Sequence, residues 1–240
     1  MEYIHNTEQF QFHNTVVALG KFDGMHKGHQ LIFDELIQYK QLGYQAAVFS
    51  FDRPPLNMLK HKHMRVIYTT NEKIKLLARR GIDIYIEHPF TDEFSHLSPE
   101  DFVIKVLLEK TGMKVLVVGD DCGFGYKRQG NVELLERMSK EYDFKLIVIP
   151  KLELEGEIVS STRIRHLLSE GKVEEANRLM EDPFMICGSV VHGNHMGAEV
   201  LQMPTANQIP LEDKLLPPNG VYVQESIIKM KRITELVMLE

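Results

Sequence analysis

Short apolar segments alternate with longer amphipathic segments over most of the chain. The apolar segments are about five residues long, and the amphipathic ones are long enough to form helices. This alternation is typical of a mostly parallel β-sheet covered by helices. It predicts an α/β fold of Rossmann-like type, with helices on both faces of the sheet and strands at residues 15–19, 45–50, 82–87, 115–119 and 145–149.

Capping residues mark the ends of the predicted helices. Thr69 and Glu72 have the spacing of a capping box, and Gly81 suits a left-handed residue at the end of that helix. Ser98 followed by Pro99 predicts another helix start. With the apolar periodicity, these signals predict helices at residues 28–41, 69–81, 98–112, 131–142 and 173–180.

A change of pattern after Pro183 divides the chain into two predicted domains. The first covers residues 1–183. The second, residues 184–240, has strand patterns at 185–192 and 220–229, with a turn at 217–220. Because a handful of strands cannot close a barrel, we expect this region to be a small, incomplete β appendage.

Composition and charge narrow the class of partner. The 240 residues carry a net charge of −6 and a pI near 6.0, so the chain lacks the basic footprint of proteins that bind nucleic acids or anionic membranes. The sequence shows neither a signal sequence nor an apolar run near the roughly 18 residues of a membrane span. The two cysteines fit neither a disulfide framework nor a zinc site. We expect a cytoplasmic protein with small-molecule partners; no pattern predicts its oligomeric state.

The stretch from Gly20 to His29 has the strongest chemical signal. It reads Gly-Lys-Phe-Asp-Gly-Met-His-Lys-Gly-His and links the strand at 15–19 to the first helix. His26 and His29 lie near the helix N-terminus, where free N–H groups and the helix dipole favour anions, whereas a transition metal would need further ligands. We predict a site for a ligand with several phosphates. The alternative is that one histidine caps the helix and the other is a surface residue.

A second signal is the run Ser-Ser-Thr-Arg-Ile-Arg at residues 160–165. The hydroxyl residues predict an N-cap, which is the ordinary explanation. However, Arg163 and Arg165 lie in the first turn and oppose the helix dipole, at a cost of a few tenths of a kcal/mol unless an anion neutralises them. This run therefore also predicts phosphate binding.

A glycine-rich loop with aromatic and basic residues follows the strand at 115–119. Residues 120–130 read Asp-Asp-Cys-Gly-Phe-Gly-Tyr-Lys-Arg-Gln-Gly. Such a loop can hold a ring and a phosphate. The alternative is a flexible surface hairpin.

These three segments resemble motifs of the prokaryotic bifunctional riboflavin kinase/FAD synthetase family, a branch of the nucleotidyltransferase superfamily. The first resembles its Gly-x-Phe-Asp-Gly-x-His-x-Gly-His motif, and the run ending at Arg165 resembles the Ile-Ser-Ser-Thr-x-Ile-Arg motif that grips the β- and γ-phosphates of ATP. The loop resembles Asp-Phe-x-Phe-Gly-x-x-Arg-x-Gly, with Cys122 in place of the first aromatic residue. The motifs occur in the expected order and cover residues 15 to about 180.

The resemblance implies an FMN adenylyltransferase that transfers AMP from ATP to FMN and needs Mg²⁺, held by phosphate oxygens and water without a protein carboxylate cage. Its substrates would be ATP and FMN. It implies a nucleotidyltransferase fold and these site residues: catalytic His26 and His29, acting as hydrogen-bond donors; ATP-binding Gly20, Phe22, Asp23, Gly24, Ser161, Thr162 and Arg165; FMN-binding Phe51, Asp121, Phe124 and Arg128.

Departures from the family pattern concern the acceptor loop and the kinase region. The family commonly has Asp-Pro-His-Pro where this chain has Asp-Arg-Pro-Pro at 52–55. The approach to the Pro-Thr-Ala-Asn motif at 204–207 lacks an arginine and a glycine, and the given sequence ends before the segment with the kinase's catalytic glutamate. We therefore expect no riboflavin kinase activity. Two other functions remain open: an adenylyltransferase for another phosphorylated acceptor, and a non-catalytic flavin- or nucleotide-binding protein.

Overall fold

The computed structural model describes residues 1–52, 65–191, 207–228 and 231–239. Six strands form one fully parallel sheet. In chain order they are β1 (Glu2–His5), β2 (Thr15–Leu19), β3 (Gln45–Phe51), β4 (Ile84–His88), β5 (Met113–Gly119) and β6 (Lys145–Ile149). Across the sheet the order is β1-β4-β3-β2-β5-β6, and this confirms the predicted α/β class.

Helices cover both faces of the sheet, as predicted. They are α1 (Lys27–Gln41), α2 (Thr70–Arg79), α3 (Asp92–Ser95), α4 (Pro99–Asp101, continued as a π-helix over Phe102–Lys110), α5 (Val132–Glu141), α6 (Ser161–Ser169) and α7 (Val173–Leu179). Because side chains alternate along a strand, β2 contributes to two cores. Val16 and Ala18 pack with α1, α2 and α6, whereas Val17 and Leu19 pack with α4 and α5.

Two elements differ from the sequence prediction. The edge strand β1 has only four residues, too few for a clear alternation, so its pattern did not identify it; it pairs in parallel with β4. The helix α4 begins where predicted, with the Ser98 hydroxyl accepting the Asp101 N–H at 3.0 Å, and then widens into a π-helix. Apolar periodicity does not distinguish the two helix types over so short a segment. The strand predicted at 82–87 lies at Ile84–His88.

The C-terminal part is built from antiparallel strand pairs. Before it, β7 (Glu153–Leu154) and β8 (Glu157–Ile158) form a small hairpin. Beyond α7, β9 (Gly188–Val191) pairs with β10 (Asn207–Pro210), and β11 (Gly220–Ile228) pairs with β12 (Lys231–Leu239). The strand predicted at 185–192 begins later, at Gly188, and β12 occupies residues that the sequence pattern leaves open between a short helix and a strand.

The strand order places the histidine motif at residues 20–29 at a topological switch point of the sheet. The chain runs from β2 to β3 and β4 on one side, and then returns to place β5 and β6 on the other side of β2. In open parallel sheets, ligands bind outside the carboxyl ends of the strands at such a reversal. The turn after β2 and the loop after β5 both leave the sheet there.

Candidate active site

A cavity of about 320 Å³ lies at the carboxyl ends of β2, β3 and β4. Its volume falls in the range of small-molecule sites, roughly 300–1,000 Å³. The turn after β2 and the start of α6 both contribute walls. The structure therefore brings two segments to one cavity: residues 20–29, the histidine segment, and residues 160–165, the Ser-Arg segment. The lining residues are Lys21, Phe22, Asp23, His29, Ser50, Phe51, Asp52, Val66, Tyr68, Thr70, Lys73, Glu87, Ser161, Thr162, Arg165 and Asp213.

The turn after β2 is held in an unusual backbone conformation. Gly24 has φ of +81°, and Phe22 has φ of +49°, which is uncommon for a bulky residue. The Phe22 ring is held between His29 and Phe33, with ring centroids 5.2 and 5.0 Å away. A Cβ on Gly20 would lie 2.9 Å from that ring. Gly20 therefore provides space for the Phe22 ring, while Gly24 provides the left-handed turn.

His26 caps α1, and this fixes its tautomer. Its Nδ1 accepts the His29 backbone N–H at 3.3 Å, so the proton of the neutral ring is on Nε2. The two imidazoles stack with centroids 3.6 Å apart. The capping role that we weighed against function is therefore present, and it leaves a hydrogen-bond donor on the opposite side of the ring.

Both histidines are neutral near pH 7. Burial lowers the pKa of His26 to about 4, against a smaller opposing effect from the Asp121 carboxylate. Burial also lowers the pKa of His29 well below its usual value, with further contributions from His26 and Arg80. Each ring therefore offers one N–H donor and one acceptor, and neither is an imidazolium.

The Ser-Arg segment, residues 160–165, forms the N-cap and the first turn of α6. The Ser160 hydroxyl caps the helix by accepting the Arg163 N–H at 3.3 Å. Arg163 forms an ion pair with Glu157 at 2.9 Å between Nε and Oε2, and Arg165 forms one with Asp23. Carboxylates of the chain thus supply part of the neutralisation that two arginines in a first turn require.

Asp23 connects the two turns. Its Oδ1 accepts the backbone N–H groups of Ile67 and Tyr68 at 2.9 and 3.1 Å, and its Oδ2 pairs with Arg165. The Ser161 hydroxyl donates to the Asp23 backbone carbonyl. One residue of the histidine segment therefore positions both the cavity wall at residues 66–68 and the first turn of α6.

Unsatisfied polar atoms remain on both turns. Among the described residues, the buried atoms without a hydrogen-bond partner include Nδ1 of His29, Nε of Arg165 and Nη1 of Arg163. His29 and Arg165 line the same cavity. Buried polar groups are usually paired, so unpaired nitrogens in residues that line a cavity favour a polar ligand there.

The residues assigned to FMN are divided between two places. Phe51 lines the cavity. Asp121, Phe124 and Arg128 lie in the loop after β5 and do not line it: Asp121 pairs with Lys151 at 3.2 Å, and Phe124 is 5% exposed in the core. This loop has a defined shape. The backbone N–H and C=O groups of Phe124 and Gly130 bond at 3.1 and 2.9 Å, and a Cβ on Gly130 would lie 2.6 Å from the Phe124 ring.

Sequence reasoning missed a buried carboxylate at the end of β4. Glu87 accepts hydrogen bonds from the hydroxyls of Tyr3 (2.6 Å), Tyr85 (3.1 Å) and Thr70 (3.1 Å), and the Lys73 ammonium lies 3.7 Å away. Burial and the nearby carboxylate raise the pKa of both tyrosines. The group comes from separate elements, β1, α2 and β4, so no local spacing indicates it.

Some predictions lie outside the described residues. They concern Arg53, Pro54 and Pro55, and the approach to the Pro-Thr-Ala-Asn motif at residues 197–206.

Two features are absent from the described ranges of the chain. No group of three or more His, Cys, Asp or Glu side chains there is arranged to hold a metal ion. No helix there is long and apolar enough to cross a membrane.

A second, more open depression of about 780 Å³ lies near the amino ends of β2, β5 and β6. Its walls include Tyr39, Lys114 and Lys145. It contains none of the motif residues and lies at the edge of the sheet opposite to the one where parallel α/β folds bind ligands. We therefore assign the functional site to the smaller cavity.

Comparisons with known proteins agree on one family. The FAD synthetase family model matches residues 8–163, and the riboflavin kinase family model matches residues 180–239. The chain is similar to proteins named bifunctional riboflavin kinase/FMN adenylyltransferase. One from Buchnera aphidicola is 39% identical over 222 residues, covering 91% of this chain and 70% of the relative. One from Listeria monocytogenes is 36% identical over 226 residues, covering 92% and 71%.

The fold is also similar to a solved structure. A crystal structure of a Streptococcus pneumoniae protein, named a macrolide-efflux protein, superposes with a TM-score of 0.85 at 30% identity, covering 98% of this chain and 77% of that one. The sheet and its helices therefore belong to an experimentally observed architecture.

Proposed function

Because the chain belongs to the FAD synthetase family, we propose that it transfers AMP from ATP to FMN, yielding FAD and pyrophosphate, and that it does not phosphorylate riboflavin. We assign adenylyl transfer to residues 1–183 and the riboflavin-kinase-like region to 184–240. We place the reaction in the cytoplasm.

One observation carries this proposal: His29 and Arg165, which come from the two phosphate-type motifs, line a single cavity and each keep a buried nitrogen without a partner. A triphosphate would supply acceptors for the Arg165 N–H and for the Thr162 hydroxyl. The Ser161 hydroxyl donates to the Asp23 carbonyl and would have to exchange that acceptor for a phosphate oxygen. The helix N-terminus of α6 and that of α1 add backbone N–H groups and positive dipole ends.

The reaction requires an in-line displacement at the α-phosphorus of ATP. An oxygen of the FMN phosphate forms a new P–O bond there, and the bond from the α-phosphorus to the bridging oxygen of pyrophosphate breaks. No protein nucleophile is needed, so the residues act by positioning and by stabilising charge. Ser161, Thr162 and Arg165 would hold the departing pyrophosphate. Gly20, Phe22, Asp23 and Gly24 shape the pocket for the nucleotide.

The histidines act as neutral hydrogen-bond donors in this proposal. His26 keeps its proton on Nε2 because Nδ1 accepts from the backbone of α1. A base is unnecessary, since the second pKa of a phosphate monoester is about 6 and the attacking oxygen is already ionised near pH 7. Donors of this kind are typically worth about 2.7–4 kcal/mol of transition-state stabilisation.

Mg²⁺ would enter with the triphosphate and neutralise its charge. It prefers phosphate oxygens and water with one or two carboxylates. Within the described residues, the cavity wall has four carboxylates, of which Asp23 and Glu87 are held by several protein partners. Asp52 and Asp213 are the two that would complete this set.

The FMN site would include Phe51 in the cavity wall, with Asp121, Phe124 and Arg128 shaping the neighbouring loop after β5. The absence of kinase activity is supported by the arrangement of β9–β12. In the described ranges these strands form two separate pairs, and Val223 and Leu236 are largely exposed.

The test is to incubate the purified chain with Mg²⁺-ATP and either FMN or riboflavin, and to separate the flavins. We expect FAD from FMN and no FMN from riboflavin. His29→Ala should abolish most FAD formation, whereas His166→Ala, at an exposed position of α6, should leave it unchanged. FMN formed from riboflavin would contradict the kinase assignment. Turnover of another phosphorylated acceptor but not of FMN, or binding without turnover, would contradict the proposed reaction.

A further inference from the structure

We infer that Lys214, in the riboflavin-kinase-like region, is a positioning residue of the ATP site, so that this region serves adenylyl transfer. The inference deepens the proposed function and rests on it.

The Lys214 ammonium is fully buried and fully hydrogen-bonded. The residue is 1% exposed. Its Nζ donates to the carbonyl oxygens of Ile67 and Met185, each at 2.6 Å, and pairs with Oε2 of Glu72 at 2.7 Å. An ammonium has three N–H donors, and these three acceptors use all of them.

The surroundings of Lys214 are built for a cation. The rings of Phe184 and Tyr68 lie 4.4 and 5.1 Å from its Nζ, within cation–π range. Lysine almost never has its charge buried unless it is paired, because burying a charge is costly. Burial does lower the pKa of Lys214, and the adjacent Glu72 carboxylate opposes this effect.

Glu72 links Lys214 to the start of α2. Its Oε2 also accepts the Thr69 N–H at 2.8 Å in the capping box, and its Oε1 accepts the Cys187 N–H at 2.7 Å. The sequence predicts the capping box but not the lysine, which lies 142 positions away along the chain. A local helix signal and a long-range ion pair thus share one carboxylate.

The segment at residues 66–68 connects Lys214 to the nucleotide cavity, because it bonds to the backbone on both sides of Lys214. Val66 donates to the carbonyl of Asp213 at 2.7 Å and accepts from the N–H of Leu215 at 2.8 Å. Next to it, Ile67 is held by Lys214 at its carbonyl and by Asp23 at its N–H, 2.9 Å away. Asp23 is the residue that pairs with Arg165.

Three residues of this segment and its partner, Val66, Tyr68 and Asp213, line the cavity. Loss of the ammonium would release the Ile67 carbonyl and move the wall that positions Asp23. Replacing both members of a buried ion pair by uncharged residues is often neutral for stability. If Lys214 only stabilised the fold, replacing Lys214 and Glu72 together would therefore restore ATP affinity along with stability.

The experiment compares Lys214→Met with the double variant Glu72→Gln/Lys214→Met. Lys105→Met serves as the control, since Lys105 pairs with Asp101 at an exposed site on α4. Unfolding by urea, the Kd of Mg²⁺-ATP by calorimetry, and the KM for ATP in FAD formation are measured for each. We expect Lys214→Met to lower stability and to raise the Kd and KM for ATP at least tenfold. The double variant should recover part of the lost stability, because the unpaired buried carboxylate is gone, although one of the N–H groups of Thr69 and Cys187 then faces an amide NH2 group. It should not recover ATP affinity.

An ATP Kd that is unchanged in the folded double variant would overturn the inference and leave Lys214 with a structural role only. The double variant decides the question even if Lys214→Met does not fold. Calorimetry with ATP does not depend on FMN. A wild-type chain that binds ATP but forms no FAD would therefore refute the proposed reaction while the role of Lys214 is still tested.

Discussion

At the scale of single residues, Asp23 shows how a motif position can carry a role that its spacing does not reveal. The sequence indicates Asp23 as part of a nucleotide pocket. In the structure, its carboxylate is directed at protein partners, with the N–H groups of Ile67 and Tyr68 on one oxygen and Arg165 on the other. The spacing of a motif identifies which residues matter, but partners more than 40 positions away decide what they do.

Asp23→Asn tests this role. Asparagine keeps an oxygen for the two backbone N–H groups but loses the charge that pairs with Arg165. We expect the free energy of unfolding to fall by about 1–3 kcal/mol and FAD formation to fall at least tenfold. Urea unfolding and the flavin assay measure the two effects, with Asp34→Asn on the exposed side of α1 as the control. An active Asp23→Asn variant with wild-type stability would contradict the connecting role.

The histidine pair predicts a pH dependence of stability. The pKa of His26 is about 4 in the folded protein and near 6.5 in the unfolded chain, so only the unfolded state binds this proton between those values. The contribution of His26 is therefore fully present above about pH 6.5 and is lost as the pH falls towards 4. The pKa difference corresponds to about 3 kcal/mol.

His26→Asn isolates this contribution, because asparagine can cap α1 without binding a proton in this range. We expect the loss of unfolding free energy between pH 7 and pH 4.5 to be smaller in this variant than in the wild type by about 2–3 kcal/mol. His29 is present in both proteins, so its contribution to the pH dependence of stability remains in both. Urea unfolding at the two pH values gives the comparison, and identical losses in the two proteins would show that His26 is not buried as described.

At the scale of elements, the sequence predicted the helix starts that are set by capping residues within three positions of each other. The capping box of α2, with Thr69 and Glu72, and the serine cap of α4 both form as expected. The edge strand β1, the π-helix in α4 and the histidine cap of α1 were missed or not favoured. The strand β1 depends on pairing with β4, which a window of neighbouring residues does not contain. The histidine cap is a contact over three residues, and in the sequence it competed with the functional interpretation of the same histidine.

Gly28→Ala tests how the start of α1 controls the site. Alanine is favoured over glycine inside a helix by roughly 1 kcal/mol. However, a Cβ here would lie 3.1 Å from Nδ1 of His26, so the imidazole would have to shift. We expect thermal stability close to that of the wild type, because the helix gain is offset by the disturbed His26 cap, together with at least tenfold slower FAD formation. Gly43→Ala gives a contrast, because Gly43 has φ of +95° and open space around it, so that variant should lose stability and keep activity.

At the scale of the whole molecule, the sequence predicted the sheet, its two helical faces and the order of the motifs. It did not predict that the region after residue 183 contributes to the cavity. Asp213 and Lys214 reach the first domain through backbone and side-chain bonds to Val66, Ile67 and Glu72. Such contacts join segments about 145 residues apart, and no periodicity or capping signal extends over that distance.

The central claim is that the histidine turn and the Ser-Arg turn hold one triphosphate. The most direct measurement is a crystal structure of the chain with Mg²⁺ and a non-hydrolysable ATP analogue. The account predicts phosphate oxygens within about 3.2 Å of nitrogen donors of both His29 and Arg165. A triphosphate bound by only one of these turns, or outside the cavity at the carboxyl ends of β2, β3 and β4, would contradict it.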